Sequence, residues 1–237
     1  MNTKIVQVEG IDVTLKKSAR TKHLRISVSD KGVSVSIPEK MPYTTAETFI
    51  KAKAAWIKQS VQKVQQQTQH TVFTHETDFS TKFRKLKLIA DNRNNMRLLI
   101  HDDCFEIFYP HHIDLENEQV QQVIRKQIEH VWKLEAQEFL PKRITELADR
   151  FNFNFKSLTI KNTRSFWGKC MGDNSITLSL HLMHLPNHLI DYVILHELCH
   201  TIHKNHQKEF WQLLDKVTKN QAKSLAKEMK NYSTRFF

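Results

Sequence analysis

Apolar and polar residues alternate with period two over residues 4–8, 11–15, 23–28 and 33–37, the signature of half-buried strands. Glu9-Gly10 and Asp30-Lys31-Gly32 interrupt the alternation as turns, and Pro38 and Pro42 end it. The period then lengthens. After a hydroxyl cap at Thr44 or Thr45, residues Phe49, Ile50, Trp56, Ile57, Val61 and Val64 recur at helical spacing and predict a helix near 44–66. The glutamine-rich tract 62–69 reads as a frayed helix end or a linker. A second strand-rich stretch covers 83–90, 96–101 and 104–109, divided by the turn-forming runs 91–95 and 102–103. From 114 to 152 the pattern is helical, with Pro141 predicted to separate two helices. Strands return at 157–160 and 175–180, followed by helical stretches at 189–203 and 210–232. The expected fold class is α+β, with a strand-rich N-terminal module over 1–112 and a domain of helices and a small sheet over 113–237.

Composition narrows the classes. Of 237 residues, 40% are hydrophobic and 26% charged, enough apolar side chain for a sizeable core. No apolar run reaches the roughly 18 to 20 residues of a membrane-spanning helix, and the amino end mixes Lys4, Gln7, Glu9 and Asp12 among its apolar residues, unlike a signal peptide. Three cysteines make no disulfide framework and fit a reducing compartment, so a cytoplasmic protein without membrane contact is expected. The formal charge is +11, distributed as +7 over residues 1–70, −2 over 71–155 and +6 over 156–237. Such a surface attracts polyanions, so a nucleotide or nucleic acid is a candidate partner; a merely solvated lysine surface is the alternative.

The chemistry concentrates in one stretch. His196-Glu197-Leu198-Cys199-His200 places two histidines at i and i+4 on one helical face, where both imidazoles can reach one Zn²⁺. Glu197, beside the first ligand, stands where a general base for a metal-activated water is needed. A chain with 14 His and 14 Glu would show this triplet by chance about 0.05 times, so accident is a weak explanation. Three residues compete for the third ligand. His203 lies seven residues beyond His196, about 10.5 Å along a helix axis, too far for one tetrahedral ion. If the helix ends near Lys204-Asn205, with Asn205 in a left-handed cap, the chain turns and His206 faces back to the metal. His206 is therefore favoured over His203, and Glu209 is the remaining competitor. One zinc per chain is expected.

These residues carry a resemblance. His196-Glu197-Leu198-x-His200 followed by Asn205-His206 and Phe210-Trp211 is similar to the YgjP-like zinc metallopeptidases, relatives of the SprT and WLM groups. Arg164-Ser165-Phe166-Trp167-Gly168-Lys169-Cys170 resembles that family's Arg-Ser-x-Trp-Gly-x-Cys segment, and 175–180 and 190–193 lead into the motif in the same way. Ser18 to Arg25, Gly32-Val33, Val35, Pro38 and Ala55-Trp56-Ile57 extend the resemblance to the front of the chain. It covers most of the sequence and is weakest over 65–116 and after Val217. Phe166 stands where the family often has arginine, Lys169 where it has a small hydroxyl residue, Gln207 where it has serine and Cys199 where it has alanine. The resemblance implies a zincin-like fold and peptidase activity on a peptide or protein substrate.

Arg164 and Trp167 are candidate substrate contacts, the first through its fork of donors and the second by shaping a cleft; a salt bridge and corner packing are the plain alternatives. Two further functions stay open: a zinc-dependent nucleotide pyrophosphatase, for which Arg164 and the positive charge would be sensible, and a nucleic-acid-associated protease tethered by its basic N-terminal module.

Overall fold

The computed structural model describes residues 3–29, 32–67 and 72–234. The chain divides into two compact units, Met1–Thr71 and Val72–Phe237. The expected boundary near 112 is displaced because the strands before it share a core with the helix after it.

In the first unit, β1 (Thr3–Val8), β2 (Ile11–Ser18), β3 (Arg25–Ser29) and β4 (Gly32–Pro38) form a sheet in the order β1-β2-β4-β3. The hairpin between β1 and β2 turns at Glu9 and Gly10, both with positive φ, which is why glycine is useful there. Period two is visible in the burial of Val13 and Leu15 on β2 and of Val33, Val35 and Ile37 on β4. Their shared face packs on Ala46, Ile50 and Ile57. The predicted single helix is two, α1 (Tyr43–Ala52) and α2 (Ala54–Gln67), with a break at Lys53 (φ −107°, ψ 10°). Pro42 rather than Thr44 or Thr45 occupies the N-cap, without a side-chain bond. Part of the predicted turn at Asp30-Lys31 and the end of the glutamine tract lie outside the described residues.

In the second unit β5 (Lys85–Asp91), β6 (Arg97–Ile100) and β7 (Cys104–Pro110) form a sheet in the order β5-β7-β6. Leu86, Phe105, Ile107 and Tyr109 from that sheet join α3 (Glu118–Phe151) in one core. Pro141 does not divide α3. Ala136, Leu140, Ile144 and Leu147 form one buried stripe across it, and continuous burial of its three large side chains, each about 1.5–3 kcal/mol, outweighs the roughly 3 kcal/mol cost of an internal proline. The helix closes with Asn152 in the left-handed conformation.

β8 (Ser157–Lys161), β9 (Gly168–Cys170) and β10 (Ser175–Ser179) follow, ordered β8-β10-β9, with β8 parallel and β9 antiparallel to β10. A 3-10 turn at Leu180–His184 leads to α4 (Asn187–Cys199), α5 (Lys208–Val217), α6 (Ala222–Glu228) and a last 3-10 turn, Met229–Asn231. The helical stretch predicted over 210–232 is thus broken, at Lys219 and Asn220, both with positive φ. Among the described residues the fold is α+β, and no helix is long and apolar enough to cross a membrane.

Candidate active site

Helix α4 presents the chemistry. Pro186 precedes its first turn, no proline or glycine interrupts it, and Leu189, Ile190, Ile194 and Leu198 are buried. Its orientation is pinned from α3: Arg143 Nε and Nη2 donate to Asp191 Oδ1 and Oδ2 at 2.6 and 2.5 Å, a bidentate fork. That pairing holds the guanidinium pKa well above its ordinary value.

The helix ends earlier than expected. Cys199 is its last residue, His200 caps it in the right-handed helical region, and short backbone bonds from Thr201 to Leu198 and from Ile202 and His203 to Cys199 turn the chain. Asn205 is not left-handed; its side chain instead accepts from the Gln207 amide at 3.2 Å just before α5. By this route His206 comes back over α4.

His196, His200 and His206 converge. Nε2 of His206 lies 3.1 Å from Nε2 of His200 and 3.1 Å from Nε2 of His196. Two nitrogens bound to one tetrahedral zinc ion, each at about 2.0–2.1 Å, lie about 3.3 Å apart. The donor set therefore fits a shared ion, whereas three bare nitrogen lone pairs would repel. His200 Nδ1 donates to the His203 carbonyl at 2.8 Å, which fixes the tautomer and leaves Nε2 as an acceptor. Burial, reinforced by the other two histidines, pushes the His196 pKa down to about 3, and burial lowers that of His200 as well, so both are neutral and able to ligate near pH 7. Phe210, fully buried on α5, lies beneath all three rings at centroid distances of 4.5, 4.8 and 4.9 Å.

Glu197 is 6% exposed and faces β9. Burial pushes its pKa up to about 7, and the Cys170 backbone N–H, donated to the carboxylate, offsets part of that rise. The approach is close at Gly168, where a Cβ would stand 2.6 Å from Glu197 Cγ and 2.8 Å from Oε1. A cleft of about 330 Å³ opens beside Glu197 and His196, lined by Phe166, Trp167, Tyr192, Val193, Ala226 and Met229.

The other candidates are placed elsewhere. His203 contributes its carbonyl rather than its ring, and Glu209 is exposed in the first turn of α5; neither is in the histidine cluster. Trp167 lines the cleft, its ring set edge-on to His184 at 5.3 Å and its carbonyl bonded to the Ser179 amide. Arg164 does not line the cleft; its Nη2 donates to Glu129 of α3 at 2.5 Å. Cys199 is fully buried, and burial pushes its thiol up to about 12. A second group, His101, Cys104 and Glu106, brings donor atoms together on the β6–β7 hairpin, but Glu106 is already engaged by His101 and by Lys87. Sequence reasoning missed the roles of Gly168, the Cys170 amide, Ala226 and Met229, which depend on contacts distant in sequence. Tyr192 was within reach, because it stands four residues before His196 on the same helical face.

Residues 22–232 match the family model described as YgjP-like, metallopeptidase domain. The chain belongs to the YgjP-like metallopeptidase domain family. Among solved structures, the chain is similar to the metallopeptidase zymogen of Pyrococcus abyssi abylysin, with 19% identity, coverage of 39% of this chain and 94% of that one, and a TM-score of 0.35. It is similar to the metallopeptidase zymogen of Methanocaldococcus jannaschii jannalysin at 22% identity, with 38% and 93% covered and a TM-score of 0.35. No curated protein gives a significant match.

Proposed function

We propose that this metallopeptidase is zinc-dependent, with His196, His200 and His206 as the ligands and Glu197 as general base and acid toward a peptide substrate. The observation that carries the reading is the convergence of three Nε2 atoms, that of His206 lying 3.1 Å from those of His196 and His200, beside the buried carboxylate of Glu197 on α4. A zinc ion in that position would supply Lewis acidity toward water and the substrate carbonyl. The side chains divide the remaining work. Neutral His196 and His200 present lone pairs, and Phe210 closes the apolar side of the cluster. Glu197, buried beside the histidine cluster, takes a proton from the attacking water and returns it to the departing amine nitrogen. The Cys170 amide and the tight contact with Gly168 hold the carboxylate in place for both transfers.

The phosphoanhydride reading finds no favouring observation: Arg164 is spent on Glu129, and apolar side chains line most of the cleft. The test is metal analysis of purified protein beside hydrolysis of a peptide library and of nucleoside triphosphates. One zinc per chain with peptide cleavage that a chelator abolishes and zinc restores supports the reading. Chelator-resistant cleavage, or pyrophosphate release without peptide cleavage, contradicts it.

A further inference from the structure

The cleft beside Glu197 has a composition that catalysis alone does not require. Tyr192 and Val193 on α4 line it, one helical turn before His196 and Glu197. Phe166 and Trp167, where the chain enters β9, line it too, as do Ala226 of α6 and Met229 of the following 3-10 turn. Glu197 is the one charged side chain among the lining residues. The walls are anchored: the Trp167 carbonyl is bonded into the sheet at Ser179, and Tyr192 and Val193 are 7% and 5% exposed.

We propose that this cleft is a specificity subsite that takes one bulky apolar side chain, Leu, Met or Phe, from the substrate residue adjoining the scissile bond. The inference rests on the peptidase reading above. Three observations define the occupant. His196 and Glu197 line the same cleft, so a side chain seated there belongs to a residue next to the bond that Glu197 serves. A volume of about 330 Å³ is ample for one large side chain, since a cavity of about 150 Å³ already accepts a benzene ring. A lysine or arginine would lose hydration against Phe166, Val193 and Met229 and find no opposite charge except the Glu197 carboxylate, whose proton transfers such a pair would obstruct; an aspartate would lose hydration and meet a like charge. Met229, flexible and polarizable, lets the subsite accept both aliphatic and aromatic groups.

The experiment pairs binding with turnover. Peptides identical except for Leu, Phe, Trp, Ala or Asp at the position next to the cleaved bond are titrated into zinc-loaded Glu197→Gln protein, and the same set is given to the wild type. Leu and Phe peptides should exceed the Ala peptide by roughly tenfold to 200-fold in both affinity and kcat/KM, and Asp should be poorest. Ala226→Phe, which fills the cleft, should bring the Leu/Ala ratio toward one. Met229→Ala, which enlarges it, should shift preference toward Trp and serves if the first variant does not fold. Selective binding without cleavage by the wild type would uphold the subsite and overturn the peptidase reading. Cleavage without side-chain preference, absence of binding by every peptide, or ratios that the folded variants leave unchanged would overturn the subsite.

Discussion

Gly168→Ala tests whether the position of the Glu197 carboxylate, rather than its mere presence, matters. The added methyl would sit 2.6 Å from Cγ, 2.8 Å from Oε1 and 3.0 Å from Cδ of Glu197, where ordinary contact begins near 3.4 Å. Relief requires a displacement of about 1 Å, and Gly168 lies on a strand paired to Leu178, so the side chain of Glu197 rather than the sheet should give way. Misplacing a reacting group by about 1 Å costs on the order of 10²-fold in rate. Overpacking adds roughly 1–3 kcal/mol of destabilisation. The histidines are untouched by the substitution, so zinc content should stay near that of the wild type while kcat/KM on a peptide falls about 10²-fold. Gly172→Ala is the control, because a Cβ there meets nothing within 4 Å. Turnover, zinc content and thermal midpoint are measured on the same three preparations. Wild-type turnover in a folded, zinc-loaded Gly168→Ala protein would refute the argument that β9 positions the carboxylate.

Three further outcomes follow from the same contacts. His206→Ala should remove most of the zinc measured by elemental analysis, whereas His203→Ala, which keeps the carbonyl that His200 uses, should remove little; the opposite result would reassign the third ligand. The fork between Arg143 and Asp191 should give a coupling of about 1–2 kcal/mol in a double-mutant cycle with Arg143→Met and Asp191→Asn, read by denaturant unfolding, and a coupling near zero would contradict its role in joining α3 to α4. Burial pushes the His181 pKa down to about 4, below the roughly 6.5 of an unfolded chain, so the unfolded state takes up a proton first as pH falls. Its contribution is thus intact above about pH 6.5 and lost towards pH 4, up to about 3 kcal/mol. In chelator, His181→Gln should flatten the fall in unfolding free energy between pH 7 and 4.5, and an unchanged slope would refute the linkage.

The contrast between what the chain announces and what it conceals follows from the range of each interaction. His196, Glu197 and His200 can be read as a unit because helical geometry places i, i+1 and i+4 without tertiary help. His206 depends on where the helix stops. The expected end at Lys204-Asn205 is five residues late, since the backbone bonds that turn the chain after Cys199 carry no distinctive side-chain signal. Pro141 reads locally as a break and is overruled by the shared burial of Ala136, Leu140, Ile144 and Leu147. The boundary between units moves from 112 to 71 for a similar reason: alternation reveals that β5, β6 and β7 are strands but not that α3 is what they pack against. Gly168 and Met229 lie 29 and 32 residues from Glu197, and nothing periodic links them to it.

In the proposed mechanism Glu197 moves protons at a zinc site rather than merely filling space beside it. Structural zinc sites close their coordination with protein ligands and need no neighbouring carboxylate. Glu197→Gln keeps the size of the side chain and an acceptor for the Cys170 amide while removing the basic carboxylate. Zinc stoichiometry and peptide turnover measured on one preparation of this variant give the most direct test. The variant should hold one zinc per chain with turnover lowered by roughly 10²- to 10⁴-fold, the scale of general acid–base catalysis. Wild-type turnover in the zinc-loaded variant would contradict it.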